Sequence, residues 1–133
     1  MTMESYHFSA VEQTEIDEFC KKYGSGSDVN LVDKEGYTLL HTAATRGKIA
    51  VIKFLIVQGA DIQAKTADDD WTPLHAAVCG KGNIDVVKFL VSNGADVNAE
   101  TRDGYTPLDV AKQSKHKAVA KYLKSVGGHR GIR

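Results

Sequence analysis

The chain has 133 residues, of which 42% are hydrophobic and 26% are charged, as in an ordinary soluble globular protein. Its 17 basic residues balance its 17 acidic residues, so the composition favours neither nucleic acid nor a membrane surface as a partner. The longest apolar stretch, residues 49–57, is about half of the ~20 residues that a membrane-spanning helix needs. The first ten residues lack the basic-then-apolar pattern of a secretory signal.

The two cysteines, Cys20 and Cys79, are far apart and lie in different sequence contexts. A disulfide framework is therefore not expected, and we predict a reducing, cytoplasmic location.

Two motifs alternate along the chain. The first spans residues 36–41, 70–75 and 104–109, and its threonines stand at 38, 72 and 106, which makes both spacings 34 residues. The second, of the type Gly-Ala-Asp-Val-Asn, spans residues 26–30, 59–63 and 94–98. Apolar segments with helical spacing lie between them at residues 51–56 and 86–91, with a weaker copy at 119–123. Each unit is therefore predicted to run turn, helix, turn, helix, loop.

The recurring residues have physical reasons to mark helix ends. The threonines can cap free amides, and Pro73 and Pro107 suit the first turn of a helix. Glycines fit just past the helix ends, where a left-handed backbone is common. These predicted helix stops are Gly26, Gly47, Gly59, Gly82 and Gly94. One such unit cannot bury its apolar face alone, so the units are expected to stack.

The Thr-Pro-Leu-His motif, the following Ala pair and the Gly-Ala-Asp-Val-Asn exit make the chain resemble the ankyrin repeat family. The resemblance covers roughly residues 30–125. It implies an all-α fold, an ankyrin repeat solenoid of stacked helix-turn-helix units with β-hairpin loops. The expected units are a degenerate N-terminal capping repeat at 1–30, repeats at 31–65 and 66–99, a C-terminal capping repeat at 100–126 and a flexible tail at 127–133. Because the family period is about 33 residues, one extra residue is placed in each of the loops 67–70 and 80–83.

The residues that could catalyse a reaction or bind a ligand are better explained by structural roles. His41 and His75 recur inside the repeat motif, so we expect their imidazoles to bridge backbone or hydroxyl groups of neighbouring turns. His75 and Cys79 lack the second ligand pair of a zinc site, and residues 68–70 lack the remaining ligands of a calcium loop. The glycine-rich segments 24–26 and 80–82 do not complete a phosphate-binding motif. The sequence therefore predicts no enzyme activity, no cofactor and no metal.

Function is expected to lie in a surface instead. In ankyrin repeat proteins, which this chain resembles, hairpin tips and first helices line a concave binding face. In this chain the residue before each motif threonine is aromatic: Tyr37, Trp71 and Tyr105. Such residues are enriched at interface hot spots, although the rings could equally pack on neighbouring hairpins. The resemblance adds further candidate partner-binding residues, namely Lys34, Glu35, Arg46, Asp68, Asp69, Cys79, Arg102, Asp103 and Gln113.

The functional prediction is a monomeric, non-catalytic module that binds a protein partner. This partner is expected to carry an apolar patch that accepts the aromatic side chains, and some basic residues opposite residues 68–70. The alternative is a regulatory subunit or inhibitor that masks the active or ligand site of its target. A weaker hypothesis, also implied by the resemblance, is hydroxylation of Asn98, since Leu90 and Asp96 stand at the spacing that an asparaginyl hydroxylase recognises in ankyrin repeats.

Overall fold

The computed structural model describes residues 8–23, 29–30, 32–80 and 83–131. These residues form seven α-helices: α1 (Ala10–Tyr23), α2 (Leu39–Arg46), α3 (Ile49–Val57), α4 (Pro73–Cys79), α5 (Ile84–Ser92), α6 (Pro107–Gln113) and α7 (Lys117–Ser125). The all-α prediction is confirmed. The predicted glycine stops Gly26 and Gly82, and the loop 24–26, lie outside the described residues.

The helices form three pairs preceded by a single helix. Unit one is α2 and α3, unit two is α4 and α5, and unit three is α6 and α7. The first helices α2, α4 and α6 pack successively against one another, α1 packs on α3, and α5 packs on α7. The core runs through the whole stack, because equivalent residues such as Leu40, Leu74 and Leu108 are buried in every unit. Each unit thus covers the apolar face that its neighbour cannot bury alone.

Threonine caps begin each first helix. The hydroxyls of Thr38, Thr72 and Thr106 accept a hydrogen bond from the backbone N–H three residues later, and each cap is reciprocal because that later side chain accepts from the threonine N–H. Pro73 and Pro107 occupy the first helical position, where their missing N–H has no partner to lose. The sequence-based prediction of these helix starts is confirmed.

The hairpin loops that precede the first helices are compact turns. Loop one covers residues 32–38, loop two 66–72 and loop three 101–106. Each is closed by a backbone bond across its base, such as Thr66 N–H to the Trp71 carbonyl at 3.0 Å and Thr101 N–H to the Tyr105 carbonyl at 2.9 Å. In the part of the chain that the structure describes, ladder pairing is limited to one antiparallel bridge, between Val32 and Thr38. The loops therefore have hairpin shape without extended strands.

A ladder of side-chain amides joins the exit loops. The Asn30 amide donates to the Gly59 carbonyl at 3.3 Å and its oxygen accepts from Asp61 N–H at 2.7 Å. Gln63 repeats this with Gly94 at 2.6 Å and Asp96 at 3.2 Å. Because both Asn and Gln carry one donor and one acceptor group, the change from Asn to Gln keeps the ladder intact.

Lysine and aromatic side chains join the second helices on the other side of the stack. Lys53 of unit one lies over the Phe89 ring of unit two at 5.7 Å, and Lys88 of unit two lies over the Tyr122 ring of unit three at 5.6 Å. Phe8 packs on Phe54, the residue of unit one that corresponds to Phe89, with ring centroids 6.3 Å apart. These contacts are cation–π and edge-to-face pairs, which add to area burial.

The flexible tail expected at 127–133 stays a prediction, but its described residues 127–131 make hydrogen bonds to the last unit. Gly128 N–H donates to the Leu123 carbonyl at 2.7 Å, as Ala95 N–H does to Leu90 at 3.0 Å. His129 N–H donates to the Asn98 side chain at 3.0 Å, which adds a third rung to the amide ladder. Described residues 127–131 therefore follow the course of an exit loop, because the last unit offers the same donors and acceptors as the units before it.

Asp109 fixes the end of this segment. One of its carboxylate oxygens accepts from Thr106 N–H at 3.0 Å and from Gly131 N–H at 2.8 Å. In units one and two the same position is a histidine. An acceptor-only side chain suits the third unit because its neighbour at this place is an amide, whereas a carboxylate could not donate to a carbonyl.

No helix in the described ranges is long and apolar enough to cross a bilayer.

We expect Asp109→Ala to lower the free energy of unfolding by about 1–3 kcal/mol, because it removes one half of a capping box and leaves the amides of buried Thr106 and half-buried Gly131 without this acceptor. Urea denaturation measures the loss, and amide hydrogen exchange of residues 127–131 reports the release of the segment. Asp103→Ala, at an exposed position, is the control and should change stability by less than about 0.5 kcal/mol. Equal effects of the two substitutions would contradict the role given to Asp109.

Candidate protein-interaction surface

The three predicted aromatic residues stand at the same place in successive hairpin loops. Tyr37 is 44% exposed, whereas Trp71 and Tyr105 are half-buried. The Tyr37 ring stacks on His41 with centroids 5.8 Å apart, and the Trp71 ring tilts against His75 at 5.5 Å. The Tyr37 and Trp71 rings therefore lie along the first helix of their own unit and keep only part of their surface free.

The two histidines connect each unit to the next hairpin loop. His41 Nδ1 accepts from Thr38 N–H at 3.2 Å, and its Nε2 lies 2.8 Å from the Trp71 carbonyl oxygen. His75 repeats this geometry with Thr72 at 3.2 Å and Tyr105 at 2.9 Å. The predicted bridging role is confirmed. Consequently the backbone of each aromatic residue in loops two and three is held by the unit before it.

This network requires a neutral imidazole. Nδ1 accepts a hydrogen bond from the threonine N–H, and the carbonyl partner of Nε2 can only accept, so the network assigns the single ring proton to Nε2. Burial lowers the pKa of both His41 and His75, and the bonds to the Trp71 and Tyr105 carbonyls offset this only in part. A second proton would point Nδ1–H at the threonine N–H.

A groove of about 340 Å³ lies between units one and two. It is lined by Tyr37, His41, Thr45, Asp69, Trp71, Ala76, Cys79 and Gly80. Tyr37, Asp69 and Trp71 come from loops one and two, and the other lining residues come from α2, α4 and the glycine that ends α4. Among the described residues that line it, Asp69 is the only carboxylate.

The hairpin tips around the groove are held by contacts between loops. Arg102 N–H donates to the Asp69 carbonyl at 2.8 Å, and its guanidinium donates to the Ala67 carbonyl at 3.1 Å. On the other side, a Cβ added at Gly36 would lie 3.0 Å from the Ala67 nitrogen, so loops one and two are in close contact. Gly36 has φ +85°, which also favours glycine. The position of Asp69 is therefore fixed before any partner arrives.

The structure brings together only some of the predicted binding residues. Tyr37, Asp69, Trp71 and Cys79 line the groove. Arg46 lies elsewhere, with its guanidinium 5.2 Å from the Tyr23 ring centre in a second cavity of about 280 Å³ beside α1. The remaining charged and polar candidates are exposed outside the groove lining: Lys34, Glu35, Asp68, Arg102, Asp103 and Gln113.

Sequence reasoning left Ala76 out of the binding face, because the two alanines that follow the Thr-Pro-Leu-His motif were interpreted only as small helix formers. Gly80 was assigned to a loop and also, from the resemblance, to the variable surface of the first helix. A comparison between units would have indicated both residues. The position of Ala76 is Thr42 in unit one and Val110 in unit three, and the position of Gly80 is Arg46 in unit one and Ser114 in unit three. Unit two has the smallest residue at both places.

The side chain of Asn98, the residue predicted to be hydroxylated, is hydrogen-bonded in the structure. The Asn98 amide donates to the Gly127 carbonyl at 3.0 Å and its oxygen accepts from His129 N–H at 3.0 Å, and Leu90 is fully buried. Modification of Asn98 thus requires the closing segment to lift away first.

In the ranges that the structure describes, no three His, Cys, Asp or Glu side chains are grouped closely enough to hold a metal ion.

Comparison with known proteins gives one consistent family. A family model for ankyrin repeats in three copies matches residues 7–101 and 78–130. Alpha-latrotoxin-Lg1a of Latrodectus geometricus is 30% identical over 109 residues, which cover 82% of this chain and 8% of the toxin. Rabankyrin-5 of Mus musculus is 47% identical over 49 residues, 37% of this chain and 4% of its own length. Palmitoyltransferase ZDHHC13 of Homo sapiens is 41% identical over 64 residues, which cover 47% of this chain and 10% of that protein. The chain therefore spans a tenth or less of each of these relatives.

We expect His41 and His75 to remain neutral at pH 6.5, because burial lowers their pKa below the ordinary value of 6.5. The unfolded chain then binds more protons than the folded chain, so stability is fully present above about pH 6.5 and falls as the pH drops toward the folded-state pKa values. The slope is at most about 1.4 kcal/mol per pH unit for each histidine. NMR titration of the imidazole carbons and urea denaturation at pH 7.5, 6.5 and 5.5 measure both effects, and a midpoint at or above 6.5 for either ring would contradict the neutral network.

Proposed function

We infer that this chain, which belongs to the ankyrin repeat family, is a non-catalytic module that binds a protein partner through its hairpin loops and first helices. Ankyrin repeats are in general protein-interaction modules without catalytic activity. The activities in the printed names of the toxin and the palmitoyltransferase belong to those proteins, of which this chain matches a small part.

The observation that carries the proposal is the groove between units one and two. It combines partly exposed aromatic surface with a carboxylate on loops that other loops hold in place. Binding to a preformed surface avoids the entropy cost of ordering loops on association. Tyr and Trp bury large areas at a low cost in side-chain entropy, which is why they dominate interface hot spots.

The surface is mixed in charge around this centre. Exposed Lys34 and Glu35 stand on loop one, Asp68 stands on loop two, and Asp103 stands on loop three. Such patterns set the orientation and rate of association more than the final affinity. A protein partner with basic residues opposite loop two fits this arrangement.

We expect Tyr37→Ala and Trp71→Ala each to weaken partner binding by about 30-fold, the level of an interface hot spot of 2 kcal/mol. A partner is first identified by affinity capture with crosslinking, and its affinity is then measured by isothermal titration calorimetry. Circular dichroism verifies that each variant is folded.

Tyr122→Ala is the matched control. Tyr122 is also a half-buried aromatic residue that contacts a neighbouring unit, but it lies on the second helices under Lys88. Its loss should leave the affinity unchanged. If Tyr122→Ala weakens binding while the two loop variants do not, the partner binds the opposite side of the stack and the proposal is wrong. An activity assay of the captured partner, with and without this chain, distinguishes simple binding from inhibition.

A further inference from the structure

We propose that the groove between units one and two takes one bulky apolar side chain from the partner, and that a lysine or arginine next to it in the partner segment pairs with Asp69. The proposal rests on the proposed function and names the partner chemistry that this site selects. In the expectation drawn from sequence, aromatic side chains of this chain enter the partner, whereas the geometry favours the reverse.

Small residues at the groove floor create the space. A Cβ at Gly80 would collide with the Thr45 carbonyl oxygen, so the end of α4 contacts the backbone of α2 directly. Ala76, one turn earlier, contributes only a methyl group and is 8% exposed. Both residues line the groove and neither has a side chain long enough to occupy it.

The equivalent floor in unit three carries larger side chains. Val110 occupies the place of Ala76 and is 3% exposed, and Ser114 occupies the place of Gly80. The recess between units one and two is therefore a property of this particular pair of units and not of the repeat in general. This distinction also provides a substitution that the fold already accepts at the same position.

The volume suits a side chain. About 340 Å³ lies near the lower end of the range for small-molecule pockets. The Tyr37 and Trp71 rings flank the opening, and aromatic faces contact aliphatic, aromatic or cationic groups favourably. A leucine, methionine or phenylalanine side chain would lose its hydration there and cover the exposed part of both rings.

Charge selects the neighbour of that side chain. Asp69 is exposed and lines the groove, and its backbone carbonyl accepts from Arg102 N–H. The exposed Asp68 precedes it, whereas burial lowers the pKa of the His41 imidazole at the groove and so disfavours a positive charge there. A cationic group beside the apolar anchor gains a charge-assisted hydrogen bond with Asp69, and an anionic group is repelled.

The test uses displayed random peptides of twelve residues, selected on the wild-type chain and measured afterwards by fluorescence anisotropy. We expect the retained peptides to share a bulky apolar residue within two positions of a lysine or arginine. Ala76→Val, which installs the residue of unit three, should weaken them at least tenfold. Asp69→Asn should weaken them at least threefold and reduce the salt dependence of binding. Ser114→Ala, in unit three, should leave the affinity unchanged.

A second measurement fills the groove of a chain that has already folded. Cys79 is exposed and lines the groove, so alkylation with N-ethylmaleimide in a Cys20→Ser background should also weaken the peptides at least tenfold. This arm keeps the proposal testable if Ala76→Val disturbs the fold.

Three results would overturn the proposal: no peptide retained, retained peptides without the apolar and basic pair, or binding unaffected by both Ala76→Val and alkylation. The proposed function is judged separately. If Trp71→Ala still weakens a captured protein partner, the interaction surface stands and only the anchor chemistry is wrong.

Discussion

The hydrogen bond from His41 or His75 to the next hairpin loop is the interaction on which this structure depends. It holds the backbone of the next aromatic residue while the same ring caps its own helix through the threonine. One buried side chain therefore couples the start of a helix, the spacing of two units and the position of the aromatic residue on the next loop. The Nε2–H bond to the carbonyl would survive a second proton on the ring, but the bond from the threonine N–H needs an unprotonated Nδ1. The start of the helix is therefore tied to the protonation state of the core.

Repetition made most of the fold predictable. The threonine caps, the proline starts and the buried leucines follow from motifs that occur three times, and local propensity agrees with packing at each of them. The bridging role of His41 and His75 was predictable for the same reason, since a titratable residue that recurs at a fixed place in every motif is usually structural. The end of the described chain carries a weaker signal. Gly127 follows Gly94 by 33 residues, as Gly59 follows Gly26, but residues 128–131 do not repeat the rest of the exit motif.

The groove was less predictable than the fold because it depends on side chains that are smaller than those at the same positions of the other units. Its aromatic sides could be read from Tyr37 and Trp71, but its floor arises from the smallness of Ala76 and Gly80 at positions where the other units carry larger residues. A search for residues with chemistry overlooks such places. Arg46, which the family pattern assigned to the binding face, lies outside the groove with its guanidinium over the Tyr23 ring.

The amide ladder has a consequence for how the molecule can change in length. The side chains of Asn30 and Gln63 present the same donor and acceptor to the next exit loop, and His41 and His75 present the same donor to the next hairpin. The edges on either side of unit two are thus chemically interchangeable. A duplicate of residues 66–99 inserted beside the original would meet the same histidine and amide partners at its edges. Such a fold can grow or shrink by whole modules while these bonds between modules stay the same, and the side chains of each new pair decide whether a groove forms between them.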